Sequence, residues 1–367
     1  MVEITKLAGK PTLTPLCAVK SKAGLEEKTM TPMTVAVAGY GWWGKQLVKS
    51  ASLTPKLKVA VVVDPKPPAD IYDGAKQFGF RVESDFDKIL ADKSIDGVIL
   101  ASPNAFHLPQ TLAAFEAGKY VFCEKPLTMT GEGAKVMLDA AKKHGKVLGI
   151  GHELRYLEPV EALIDTIKNG TIGRLLSMEV NRSHDTFRNL PKDNWRKNPD
   201  PTMSPGGLYT GTGIHQTDIF CLIAGEPAEV RAETDTLVYD PPAEDYVRVK
   251  VLFKNGVHAM YSALSCTPYY SRFTAFGDKG WVELVAEGAI DKNKPMHLTV
   301  STVPGERSTR MFSATADNSV KDNLEAWVDA NLGKGTYRFT PQQMIDNTRI
   351  FEALVKSSRN GGVAVKL

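Results

Sequence analysis

Absences narrow the reading first. The 367 residues hold only four cysteines, Cys17, Cys123, Cys221 and Cys266, far apart and without Cys-x-x-Cys or Cys/His spacing. That pattern excludes a disulfide framework and a structural zinc site, and leads us to expect no metal and a reducing, cytoplasmic setting. No apolar run reaches the roughly 18 residues needed to cross a membrane. Neither sign of charge dominates: 45 basic and 42 acidic residues are scattered along the chain for a formal net charge of +3. With no basic stripe to follow a phosphate backbone, nucleic acid is set aside as a partner, and so is a membrane. Residues 1–32 lack the apolar centre and small-residue cleavage site of a secretory signal, and read as a loosely ordered N-terminal extension. We see no internal repeat or low-complexity tract. What remains, 43% apolar and 24% charged residues, is ordinary for a folded chain long enough for two domains.

From Thr34 to about His152, short β-branched runs ("TVAVAG", "LKVAVVVD", "DGVILAS", "KYVFCEK", "KVLGIG") alternate with amphipathic helical segments. Such alternation marks a parallel sheet covered on both faces. After "GHELRYLEP" comes a helix to about Gly170. Alternating strands follow, joined by "KNG" and "GDKG" turns, which imply hairpins and a mostly antiparallel sheet. Two helices, about Val320–Leu332 and Pro341–Arg359, close the chain. The expected architecture is therefore α/β: a doubly wound parallel Rossmann sheet over 33–152, then a second α/β domain with a large open sheet over 153–367.

Chemistry-bearing residues fall at the carboxyl edge of the first sheet, where open α/β sheets bind ligands. "GYGWWG" follows the first strand and opens a helix. In that context Gly39 permits the tight turn, Gly41 lets backbone approach a pyrophosphate, and Gly44 lets the helix pack on the sheet with its N-terminal amides facing phosphate. Tyr40, Trp42 and Trp43 lie within this loop, against the cofactor or the first helix. The second strand ends in Asp64, 20 residues beyond Gly44, where a carboxylate would bond the adenosine ribose hydroxyls and repel a 2′-phosphate. NAD is thereby favoured, while Lys66 keeps NADP open. "ASPNAFH" brings Ser102, Asn104 and His107 to the same edge, and "CEKPL" brings Glu124 and Lys125. An ammonium there would sit beside a nicotinamide ring, whose positive charge lowers its pKa and suits it to proton transfer.

"AVAGYGWWG", "ASPNAFH", "AGKYVFCEKPL" and "GGLYTGTGIHQTD", in this order, resemble the glucose-fructose oxidoreductase, inositol dehydrogenase and rhizopine catabolism (Gfo/Idh/MocA) family from about Val35 through Asp218, and more weakly to the C-terminus. The resemblance implies hydride transfer between NAD or NADP and a secondary alcohol of a sugar, cyclic polyol, sugar acid or ring dihydrodiol, in a homodimer or homotetramer. It implies that Lys125 contacts substrate and nicotinamide ribose, that Glu124 shapes the cofactor site, and that Pro126 is cis. It also gives His215 the role of holding the substrate hydroxyl or taking its proton.

One position departs from the family. Residues 206–218 are expected to form one helix on which 211, 215 and 218 share a face, and Gly211 stands where the family carries an aspartate one turn before the histidine. Two consequences are open. Lys125 and His215 suffice, helped by Tyr209, Thr210 or Thr212, or the glycine makes room for a bulkier substrate. The loop "NRSHDTFRNLPKDNWRKNPDPTMSPGG", bearing Trp195, reads either as a substrate-enclosing lid or as a plain surface connection. Arg155 and Tyr156 at the domain junction, with Arg182, His184, Arg188 or Arg196, offer contacts to substrate, including bidentate contact to a carboxylate. Two alternatives remain: a dinucleotide-binding regulator without turnover, and an enzyme that uses transient oxidation for net hydrolysis or elimination.

Overall fold

Near-continuous apolar runs need cover on both faces, and the first sheet supplies it. The structure, a computed structural model, describes residues 31–200, 203–289, 294–313 and 316–367. The extension expected over residues 1–32 lies, as far as Met30, outside the described residues, and so does Cys17. Six parallel strands, β1 (Met33–Ala38), β2 (Leu57–Val63), β3 (Arg81–Glu83), β4 (Gly97–Leu100), β5 (Tyr120–Cys123) and β6 (Gly149–Ile150), are ordered β3-β2-β1-β4-β5-β6. This is the doubly wound dinucleotide-fold order, which reverses direction between β1 and β4 and opens a crevice at their carboxyl ends. Five helices connect the strands: α1 (Trp42–Ala51), α2 (Ile71–Phe78), α3 (Phe86–Ala91), α4 (His107–Glu116) and α5 (Gly131–Lys143). On α1 the buried Gly44, Leu47, Val48 and Ala51 fall on one helical face. α5 starts where the Thr130 hydroxyl accepts the Gly133 N–H at 3.2 Å, a side-chain cap on an otherwise orphaned amide.

The second sheet follows α6 (Glu158–Lys168) and has nine strands. They are β7 (Leu175–Ser183), β8 (Pro227–Asp235), β9 (Tyr246–Phe253), β10 (His258–Leu264), β11 (Tyr270–Gly277), β12 (Trp281–Ala286), β13 (Met296–Ser301), β14 (Ser308–Phe312) and β15 (Val365–Lys366). Their order is β14-β13-β12-β11-β7-β10-β9-β8-β15. The expected hairpins β9–β10 and β11–β12 are antiparallel, and β7 runs parallel to β10. Burial alternates along β9, β10 and β12, so one face carries the core and the other is open. The buried face holds α6, α7 (Ile214–Ala224) and α9 (Pro341–Arg359). α9 begins with a reciprocal capping box between Thr340 and Gln343.

After the second sheet the chain returns to the first. α8 (Ala316–Asn331) inserts the fully buried Trp327 against Phe122, and a Cβ at Gly149 would lie 2.8 Å from that indole. Asn323 Nδ2 donates to the Ile150 carbonyl at 2.8 Å, and the Tyr337 hydroxyl accepts the Ile150 N–H at 3.0 Å. The end of β6, from which His152 and Glu153 emerge, is thus braced from beyond the second sheet. Pro32–Leu367 forms one unit.

Candidate active site

The glycine loop separates into two packing glycines and one open one. Gly39 has φ +97°, and a Cβ there would meet the Ala101 carbonyl oxygen at 2.6 Å. At Gly44 a Cβ would lie 2.1 Å from the Gly39 carbonyl oxygen, so this glycine sets the approach of α1 to the loop. Gly41 is different: its backbone is extended (φ −68°, ψ −173°), and nothing lies within 4 Å of a Cβ built on it. Neither strain nor crowding from the protein explains that glycine, whereas an approaching pyrophosphate does. Asp64 receives the Tyr40 N–H on one carboxylate oxygen and the Lys66 N–H on the other, each at 2.9 Å. The carboxylate is held in place at the end of β2 with lone pairs to spare for ribose hydroxyls.

Several residues expected at the cofactor are occupied elsewhere. The Tyr40 ring is buried against Phe80, and its hydroxyl fills the space beside Gly74. Trp42 is 67% exposed and tilts over Trp43. Trp43 is half-buried, and its indole N–H lies near Glu124 outside hydrogen-bond geometry. Ser102 Oγ donates to Gln110 at 2.6 Å, and Asn104 Nδ2 donates to the Met203 carbonyl at 3.1 Å. His107 is buried with its ring nitrogens 2.7 Å from the Pro126 carbonyl and 2.9 Å from the Ser102 carbonyl. It braces the two loops at the edge of the sheet and does not itself face the crevice.

Arg155 and Tyr156 also require correction. Arg155 is 2% exposed and grips Asp218 through Nε and Nη2, both at 2.7 Å, while Nη1 donates to Gln343 Oε1 and the Arg338 carbonyl. With every part of its fork committed, it joins the junction to α7 and α9 and has nothing left for substrate. Tyr156 packs on Phe339 under the Arg338 guanidinium, and burial pushes its hydroxyl up to about 12. A long sequence span separates these partners, so spacing alone gave no sign of the pairing.

The expected single helix over 206–218 begins two residues late and opens with a wider turn. Gly206 and Gly207 take positive φ (73° and 50°), so helix starts after them, and Tyr209–Gly213 forms a wide π-turn leading into α7. That turn shifts the α-helical register between Gly211 and His215. Its Gly211 carbonyl accepts from Lys125 Nζ at 2.6 Å. Phe187 of the long loop stands beside Gly211, where a Cβ would meet the ring at 3.2 Å. An aromatic ring thus occupies the place of a carboxylate. Thr212 turns its hydroxyl back to the Leu208 carbonyl at 3.1 Å.

Lys125 and His215 nevertheless converge. His215 is buried and Lys125 partly buried, and the ammonium of Lys125, held on the Gly211 carbonyl of the turn leading into α7, is among the charges that hold His215 neutral, after burial itself. Burial is also the main force lowering the Lys125 pKa, opposed by the carboxylates of Glu124 and Glu153. Burial raises Glu124 to about 8, and its carboxylate fits against Gly151, where a Cβ would lie 2.3 Å from it. Lys125–Pro126 is cis.

Three further residues enter that the sequence did not single out. Glu153 is buried, its Oε2 has no hydrogen-bond partner, and that atom lies 3.7 Å from His215 Nδ1. Its burial raises its own pKa. His152 Nδ1 is 3.2 Å from His215 Nδ1. Asn347 fixes the direction of that bond. Its Nδ2 donates to the Ile214 carbonyl at 3.0 Å and to His152 Nε2 at 3.1 Å, while its Oδ1 accepts from Thr217 at 2.6 Å. Since a carbonyl can only accept, the amide orientation is set and His152 Nε2 must be the acceptor. The His152 proton therefore sits on Nδ1 and is donated to His215 Nδ1, which leaves the His215 proton on Nε2. Only the fold places Glu153 and His152 against α7.

Among the described residues no cluster of His, Cys, Asp or Glu could hold a metal ion, and no helix is long and apolar enough to cross a membrane. The family model for an oxidoreductase family with an NAD-binding Rossmann fold matches residues 33–152, and the Gfo/Idh/MocA C-terminal domain matches 160–283. The chain is 29% identical to a 1,5-anhydro-D-fructose reductase of Ensifer adhaerens over 76% of this chain and 82% of that protein. It is 26% identical to inositol 2-dehydrogenase 2 of Saccharopolyspora erythraea over 90% and 95%, respectively. A levoglucosan dehydrogenase solved in complex with NADH and levoglucosan shares the fold at TM-score 0.78 and 23% identity, covering 91% of this chain and 99% of that one. With an open glycine cradle, a lysine from the first sheet reaching the turn that leads into His215, and both family domains matched in order, the chain belongs to the Gfo/Idh/MocA oxidoreductases.

Proposed function

We propose that this enzyme oxidises a secondary alcohol of a sugar or cyclic hydroxylated compound with NAD, and reduces the ketone in reverse. The observation that carries the reading is that Lys125, just after β5 of the first sheet, reaches the Gly211 carbonyl in the turn that leads into His215. When bound, oxidised nicotinamide supplies the hydride acceptor and a positive charge near Lys125. Asp64 favours NAD, because a 2′-phosphate would face its carboxylate.

The proton inventory assigns roles to the two side chains. His215 holds its proton on Nε2 and so donates a hydrogen bond to the substrate oxygen. Lys125, with its pKa lowered by burial, takes the hydroxyl proton on Nζ as its neutral amine. Of the two roles that the family resemblance allows His215, this leaves it the holding of the substrate hydroxyl. Incubating the protein with NAD and secondary alcohols, while following the absorbance of reduced cofactor, tests the reading. Cofactor that binds but is never reduced would instead mark a dinucleotide-binding regulator.

The proton path has its own test. Glu153 raises the Lys125 pKa through its negative charge, so Glu153→Gln removes that support and lowers it. Oxidation requires the neutral amine, and the acid limb of log kcat against pH should therefore move to lower pH in the variant. A limb that stays in place or moves up would disconnect Glu153 from the group that controls the rate.

A further inference from the structure

The charges around Lys125 do not balance, and the surplus points to the substrate. The long loop and the end of β7 carry five arginines and lysines whose partners can be compared. Arg188 donates to the Cys266 carbonyl, Lys197 to the carbonyls of Leu190 and Arg188, and Lys192 pairs with Asp240 at 2.6 Å. Those three are satisfied by the protein. Arg182 and Arg196 are not: Arg182 Nε is buried without a hydrogen-bond partner, and the Arg196 guanidinium is half-buried, stacked on Trp195 at 4.3 Å, with no carboxylate paired to it among the described residues. These same two arginines are the ones whose charge reaches Lys125. Arg182 also acts on Glu153 and His215.

With Lys125 as the neutral amine that takes the substrate proton and Glu124 raised by burial to about 8, Arg182 and Arg196 stand against Glu153, while burial keeps His152, His184 and His215 neutral. Even with Glu153 ionised, one positive charge is unmatched. A half-buried guanidinium without a partner is costly to maintain unless a ligand completes it.

We propose that the substrate is a monocarboxylate, a cyclic hydroxy acid of the sugar-acid type, whose carboxylate is held by Arg182 and Arg196 while its secondary hydroxyl lies on Lys125 and His215. A phosphate monoester, with close to two negative charges at neutral pH, exceeds the surplus of one. The inference rests on the dehydrogenase reading above. In the oxidation the carbinol C–H bond breaks and its electron pair passes as hydride to nicotinamide C4. The hydroxyl proton goes to Lys125 Nζ and on to solvent, leaving a keto acid, NADH and one proton.

Steady-state oxidation with NAD is to be measured for hexuronic acids and carboxylated cyclohexane polyols, their uncharged amides, free hexoses and inositols, and hexose phosphates. An acid should exceed its own amide about a hundredfold in kcat/KM, and Arg182→Gln and Arg196→Gln should each raise its KM about tenfold to a hundredfold with kcat little changed, the range of a charge-assisted hydrogen bond. Arginine-to-lysine variants, which keep the charge and lose the fork, should recover part of the loss. Binding of the same acids to the protein–NADH complex, followed by calorimetry, gives a readout independent of turnover and should weaken in parallel. Neutral polyols oxidised as well as acids, or phosphates preferred, would overturn the carboxylate assignment and leave the dehydrogenase reading intact. Absence of NAD reduction with every compound would overturn that reading, and acid binding insensitive to both arginines would then overturn this one as well.

Discussion

Replacing Lys125 by alanine should lower turnover by on the order of a hundredfold or more and leave NADH binding nearly intact, because general acid–base groups contribute about 10²- to 10⁴-fold. The separation of the two effects follows from geometry. In the proposed complex the dinucleotide would lie on the β1 loop and Asp64, whereas Lys125 lies just after β5, with Nζ on the Gly211 carbonyl. The truncated side chain leaves an unanswered carbonyl in the π-turn, but Gly211 is partly exposed, so water can replace the ammonium. Quenching of protein fluorescence by NADH reports the binding, and single-turnover reduction of NAD reports the chemistry. Retained turnover in Lys125→Ala would remove this residue from the mechanism.

A large effect on stability is expected away from the reacting atoms. Asp218→Ala should destabilise the fold by about 3–5 kcal/mol in urea unfolding, since it leaves the Arg155 guanidinium buried without its counter-charge. The arginine has no route to water: its remaining bonds run to the Arg338 carbonyl and Gln343, and its face lies 4.2 Å from the Phe339 ring. A double variant with apolar residues of similar volume at both positions should recover most of the loss, because the desolvation penalty disappears together with the attraction. A single variant as stable as the parent would contradict the description of Arg155 as a structural clamp.

That clamp shows where sequence reading met its limit. "GHELRY" offered an arginine at a domain junction, and an arginine near a crevice reads naturally as a carboxylate ligand. Its actual partners are 63 and 188 residues away, a separation that no local pattern encodes. The glycine loop was legible for the opposite reason, since strand, turn and helix follow one another within a few residues and Gly41 needs no distant partner to be understood. β3 spans three residues, too short for an alternation to register, and β15 spans two. Gly206 and Gly207 adopt positive φ, and the π-turn that follows shifts the helical register used to align residues 211, 215 and 218. The question posed by Gly211 has a structural answer: Phe187 fills the neighbouring space, and a carboxylate faces His215 from Glu153 instead.

Catalysis as proposed requires two side chains, Lys125 just after β5 and His215 on α7, to share one oxygen. A crystal structure of the protein with NADH and a cyclic hydroxy acid should place the reacting oxygen within about 3 Å of both Lys125 Nζ and His215 Nε2, with its carbon facing nicotinamide C4. An oxygen bound by neither, or a nicotinamide ring lying away from Lys125, would contradict it.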